Sequence, residues 1–140
     1  MTVIQGIIKW LQTFEPTESW KMRKINTDIL PAKISDCAVV KEPIVNRKSF
    51  ISGKTRTTGH YTLMTRLDSQ LDDSRIENNE WGESLEQWIE EKNRNKQFPD
   101  IDGTVQEIAI TTPFYVGVGD MKESIYQLTI SITYEREKKA

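Results

Sequence analysis

The residues with the most evident chemical potential are Gly53, Lys54 and Thr55, because a glycine, a lysine and a hydroxyl in that order close the phosphate-binding loop of many nucleotidases. That loop needs G-x-x-x-x-G-K-S/T, so that successive backbone N–H groups turn inward around a phosphate. Lys48 stands where the first glycine belongs. The tripeptide also precedes an alternating, strand-like run at residues 60–68 rather than opening a helix. A nucleotide site is therefore set aside. His60 is the sole histidine and has no nucleophile motif beside it, so a Ser-His-Asp arrangement has nothing to build on. One cysteine, Cys37, and one histidine do not make a Cys/His metal site, and no calcium-loop pattern appears. Asp72 with Asp73, and Asp100 with Asp102, read as turn and cap acids. No catalytic, metal-binding or cofactor-binding residues are assigned, and a non-enzymatic role is expected.

What remains is charge, and it is unevenly spread. The net charge is −2 over 140 residues, which argues against a globally basic nucleic-acid binder. Between Glu42 and Asp68 there is no acid, while Arg47, Lys48, Lys54, Arg56 and Arg66 are all basic. From Asp68 to Glu91 nine acids face one base, Arg75. Glu83, Glu86 and Glu90 form the candidate acidic partner face; the five bases form its candidate counterpart, either at an interface or lining a lumen.

These groups must be positioned by a single domain, the expectation for 140 residues. Thr2 to Gln5 fits a capping box, and Ile4, Ile7, Ile8, Leu11 and Phe14 make an amphipathic helix that Pro16 stops. Trp10 lies off the centre of that stripe, which predicts partial burial against a strand. Residues 16–22 read as a connection. A strand is expected near residues 38–40, in a β-branched stretch (34–45) whose Pro43 marks an edge or an end. Residues 46–58 read as an extended basic excursion broken by Gly53 and Gly59. Ser74 to Glu77 fits a second capping box, but the surer helix is 79–95, with Trp81, Leu85, Trp88 and Ile89 as its apolar stripe. Strands follow at 105–112 and at 126–134, the latter alternating without a fault. Between them Phe114, Tyr115 and Val116 sit in an apolar, glycine-flanked loop at 113–119, a candidate assembly loop that either packs on its own domain or meets another subunit. The fold class expected is α/β (α+β), with a mainly antiparallel sheet of four or more strands and two helices packed on it. Leu63, Leu128 and Ile132 are expected in the core, and residues 135–140 as a frayed tail.

The lone cysteine makes no demand for an oxidising compartment, so a cytoplasmic origin is the default expectation. The N-terminal run has neither the basic region nor the cleavage site of a signal peptide, and no apolar run reaches the ~18 residues of a membrane span.

The series T-R-T-T-G-H-Y-T-L at 55–63, E-x-L-E-x-W-I-E-E-K-N at 83–93, F-P-D-I at 98–101, G-T-V-Q-E-I at 103–108 and T-T-P at 111–113 resembles the tail terminator or minor capsid (head–tail joining) proteins of long-tailed bacteriophages and prophages. The resemblance implies a compact subunit that closes into a ring, usually of six, on the finished tail tube. It implies contacts with the tail tube protein and the head connector, DNA crossing the lumen, no membrane, and a place in the neck of a virion assembled in the bacterial host cytoplasm. It carries no site residues. Other neck or tail roles, head completion or tail tube, share its size and fold class. A nucleic-acid-binding module using the basic residues is the alternative from a different class.

Overall fold

A computed structural model describes residues 2–14, 25–32 and 36–137. The expected connection at 16–22 lies outside the described residues, as do residues 34–35 of the strand-rich stretch and 138–140 of the tail.

The first helix, α1 (Val3–Leu11), opens with the capping box: Gln5 N donates to Thr2 Oγ1 at 3.3 Å and Thr2 N to Gln5 Oε1 at 2.8 Å. Two backbone donors that the helix leaves orphaned are thereby satisfied. Its buried face is Val3, Gly6, Ile7, Trp10 and Leu11. That face is rotated from the expected stripe, leaving Ile4 and Ile8 at the margin and Trp10 inside. The helix ends at Leu11, and Phe14 is buried beyond it.

Five strands follow in the sheet order β1-β2-β3-β5-β4. They are β1 (Ile25–Thr27), β2 (Cys37–Ser49), β3 (Thr55–Asp68), β4 (Thr104–Val118) and β5 (Glu123–Arg136), with α2 (Asp72–Arg94) between β3 and β4. All pairings are antiparallel except β1 with β2, so the sheet is mixed. The short β1 is not expected from the sequence: a three-residue strand has no readable period, and Asn26 Nδ2 holds it by donating to the Cys37 carbonyl oxygen at 3.0 Å.

Alternation sorts the central strands into two faces. Leu63 stands opposite Leu128, Tyr61 opposite Ile130 and Gly59 opposite Ile132. The side chains of Leu63, Leu128, Tyr61, Ile130 and Ile132 meet Ile7, Leu11, Leu85 and Ile89 in one core. The other face carries hydroxyls: Thr58 pairs with Thr133 and Thr62 with Thr129 through their Oγ1 atoms, each at 2.9 Å. Both helices thus cover one face, as expected, α1 through Ile7 and Leu11 and α2 through Trp81, Leu85 and Ile89; Trp88 is only half-buried.

Other boundaries also differ from expectation. Gly59 does not break the chain, because β3 runs through it from Thr55. Helix α2 begins at Asp72 with no side-chain cap; instead Arg75 Nη1 donates to the Ser69 carbonyl oxygen at 2.6 Å, and Asn78 Nδ2 to that of Asp68 at 2.8 Å. The apolar segment 113–119 is largely strand, since β4 continues to Val118. Proline and glycine read as breakers, but β4 is an edge strand with four register shifts, where a missing N–H costs no ladder bond. Glu135 and Arg136 are part of β5 rather than of a frayed tail.

Candidate functional site

The basic stretch is a rigid hairpin arm. Beyond a register shift between Lys41 and Val45, where Pro43 lies, β2 and β3 pair from Val45↔Gly59 to Ser49↔Thr55. Phe50 N donates to the Lys54 carbonyl oxygen at 2.9 Å, and Gly53, at φ 91°, turns the chain. Such a positive φ strains residues with a Cβ, which is why a glycine stands there. The tripeptide that resembles a phosphate loop is thus the turn of an antiparallel hairpin, with strand rather than helix after it. Of the five bases only Lys54 lies in the turn; the other four are strand residues.

Three of the five form ion pairs within the subunit. Arg56 Nη2 meets Glu135 Oε2 at 3.0 Å, and Gln106 Nε2 braces the other carboxylate oxygen at 3.1 Å. Lys54 Nζ lies 3.6 Å from Glu137 Oε1. Arg66 sits toward the opposite end of β3, bonded to the Pro31 carbonyl oxygen at 3.1 Å and 3.5 Å from Glu123 Oε1. Arg47 and Lys48 are exposed and form no ion pair among the described residues, Lys48 lying 5.4 Å from the Phe50 ring centre.

The acidic helix lies by the far edge of the sheet, against β4. Glu83 and Glu90 are exposed there. Glu86 is engaged within the subunit, where its Oε1 accepts from Phe114 N at 2.7 Å, while Asn93 Oδ1 accepts from Ile108 N at 2.9 Å. Together they occupy N–H groups that an edge strand would leave open. Sequence reasoning missed Asn93 and this use of Glu86, because the partner N–H groups belong to residues 15 and 28 positions away. Phe114 is wedged against Trp81 and Tyr126, with ring centres 5.7 and 5.3 Å away. Its side chain is partly buried and packs against the core of its own domain. Tyr115 (41% exposed) and Val116 (47%) remain at the surface.

The two sheet edges are therefore treated differently. Asp28 covers β2 as far as Lys41, its N donating to the Val39 carbonyl oxygen and its Oδ1 accepting from Lys41 N, at 2.9 and 3.0 Å. Past the register shift nothing described pairs with that side of β2. The Phe50–Lys54 closure fixes the alternation: Asn46 and Lys48 turn their main-chain groups toward β3, and Val45, Arg47 and Ser49 turn theirs to the open edge.

His60 lies on the hydroxyl face opposite Ser131. Among the described residues no group of three or more His, Cys, Asp or Glu side chains is placed to hold a metal, and no described helix is long and apolar enough to cross a membrane. Cys37, in no disulfide, is buried on β2, where burial chiefly and Asp36 secondarily raise its thiol from 9.0 to about 12. Burial also raises the Tyr61 phenol from 10.0 to about 12, with Tyr134 adding to it. Both groups are held neutral in the fold, so their stabilisation is complete below the unfolded values and is lost as pH rises through the folded ones. Thermal stability is expected to fall from pH 9.0 toward about 12. Cys37→Ala should flatten the first part of that fall in a melting series; an unchanged slope would exonerate the thiol.

The chain matches no protein-family model and no curated protein.

Proposed function

We propose that this chain is a structural, ring-forming protein of the head–tail junction of a long-tailed phage or prophage, acting as its tail terminator. The observation that supports this best is the separation of unsatisfied charge onto opposite flanks of one sheet. The arm edge carries Arg47 and Lys48; the α2 flank carries Glu83 and Glu90. A surface complementary to a different surface of its own copy makes head-to-tail contacts, and these close into rings when the rotation permits. The motif series behind the family resemblance falls on β3, α2, the connection that leaves α2 and the first two thirds of β4, the segments that join the two flanks.

In this role a ring, expected to be of six copies, sits on the completed tail tube, stops its growth and offers the head connector a docking face while DNA passes through the lumen. Its place is the virion neck. The test is the mass of the purified full-length protein across concentration, together with electron microscopy of the same sample. Closed rings of one size are expected. Long cylinders would assign it to the tube instead, and a monomer at every concentration would remove the ring altogether.

A further inference from the structure

The proposed ring leaves open which surfaces touch, and the structure favours a narrower set of bases than the one that charge alone suggests. Lys54, Arg56 and Arg66 are engaged with Glu137, Glu135 and Glu123. Recruiting any of them to a neighbour would first break a bond within the subunit. Arg47 and Lys48 form no ion pair among the described residues, Lys48 lying only over the Phe50 ring of the same arm, and they stand on the stretch of β2 whose outer edge no described residue pairs with.

We infer that the open edge of the arm, through Arg47 and Lys48, is the docking surface for a second copy of this chain, seated on the outer face of α2 at Glu83 and Glu90. This rests on the ring reading and specifies its interface. Glu83 and Glu90 are seven positions apart, two helical turns, and so share one face of α2. They flank Glu86, which is bonded to Phe114 N and so is partly committed within the subunit. Exposed apolar residues are present at the base of the arm, where Ile44 is 69% exposed, and on β4, where Val118 is 60% exposed.

The other way of covering the edge is arm against arm. Antiparallel pairing of two identical arms brings Arg47 and Lys48 close to their own copies, and like charges facing each other destabilise a strand pair. It also yields a two-fold dimer in place of a ring. Docking on the opposite flank turns the same charges from repulsive to attractive, which sets the register as well as the strength of the contact.

Two double variants of the full chain test this, R47E/K48E and E83K/E90K. All four positions are exposed, so both proteins should fold, with circular dichroism as the check. In sedimentation equilibrium at low salt each variant alone is expected to associate more weakly than wild type, by a factor on the order of ten. An equimolar mixture should recover the wild-type mass, because every junction then joins opposite charges. Variants that associate like wild type would overturn this interface while leaving the ring intact. Weak association that mixing does not repair would also overturn it. A wild-type chain that never associates would end the ring reading itself. If R47E/K48E kept its mass but lost retention on a DNA duplex, the arm would belong to nucleic acid and the proposal would fall.

Discussion

Replacing Trp10 by alanine is expected to remove about 3–5 kcal/mol of folding stability, the usual consequence of deleting a large buried ring. Trp10 is 7% exposed, and its ring centre lies 4.7 Å from that of Trp88. Its Nε1 donates to the Gln97 carbonyl oxygen at 2.9 Å, tying α1 to the segment that leaves α2. Trp10→Phe separates the two contributions, since it keeps most of the ring and orphans the carbonyl, at about 1–3 kcal/mol. Trp88→Ala should cost less than Trp10→Ala, because Trp88 is only half-buried. The double variant should reveal a coupling of roughly 0.5–1.5 kcal/mol for the ring pair. Urea denaturation monitored by circular dichroism measures all four. A loss below about 1 kcal/mol for Trp10→Ala would mean that α1 is not anchored through this side chain.

The same residue shows where sequence reasoning reaches and where it stops. Periodicity locates α1 and finds its cap, because both depend on residues three or four apart. It places Trp10 off the buried stripe, because the surface that covers Trp10 is Trp88, 78 positions later. The alternation of β3 and β5 is legible for a related reason: one face is packed and the other is wet along their whole length, so each strand records its own environment. Strand β4 records its surroundings poorly. It lies at the edge, is shifted in register four times and has two N–H groups met by side chains of α2, so its pattern is irregular and Pro113 reads as a terminator. The basic residues are legible as a cluster but not as individuals. Arg56 is paired because Glu135 lies across the sheet, whereas Arg47 forms no ion pair among the described residues, none of which covers its side of β2 beyond the register shift. Composition counts charges equally; only the neighbours decide which remain available to a partner.

Gly82→Ala is expected to destabilise the fold by about 1–3 kcal/mol, although alanine in place of a helix-interior glycine ordinarily stabilises by roughly 1 kcal/mol. The reversal comes from Phe114. A Cβ at position 82 would stand 2.1 Å from Phe114 Cδ2 and 2.5 Å from its Cγ, so the ring or the helix has to move. The ring has little room to retreat: it stacks on Tyr126 at 5.3 Å with an interplanar angle of 11°, meets the Trp81 ring edge-on, and its own backbone N–H is held by Glu86. The close approach of α2 to β4 is thus built on the absence of one side chain. Phe114→Leu should be destabilising alone yet should relieve part of the Gly82→Ala penalty, giving a coupling of opposite sign to that of a simple contact. Denaturation of the two single variants and the double variant provides the measurement. Full additivity, or a stabilised Gly82→Ala, would mean that Phe114 is free to swing outward, favouring it as a candidate for contact between subunits. The expected coupling would instead hold Phe114 to the core, leaving Tyr115 and Val116 as the surface residues of that segment through which substitutions can alter assembly without first loosening the fold.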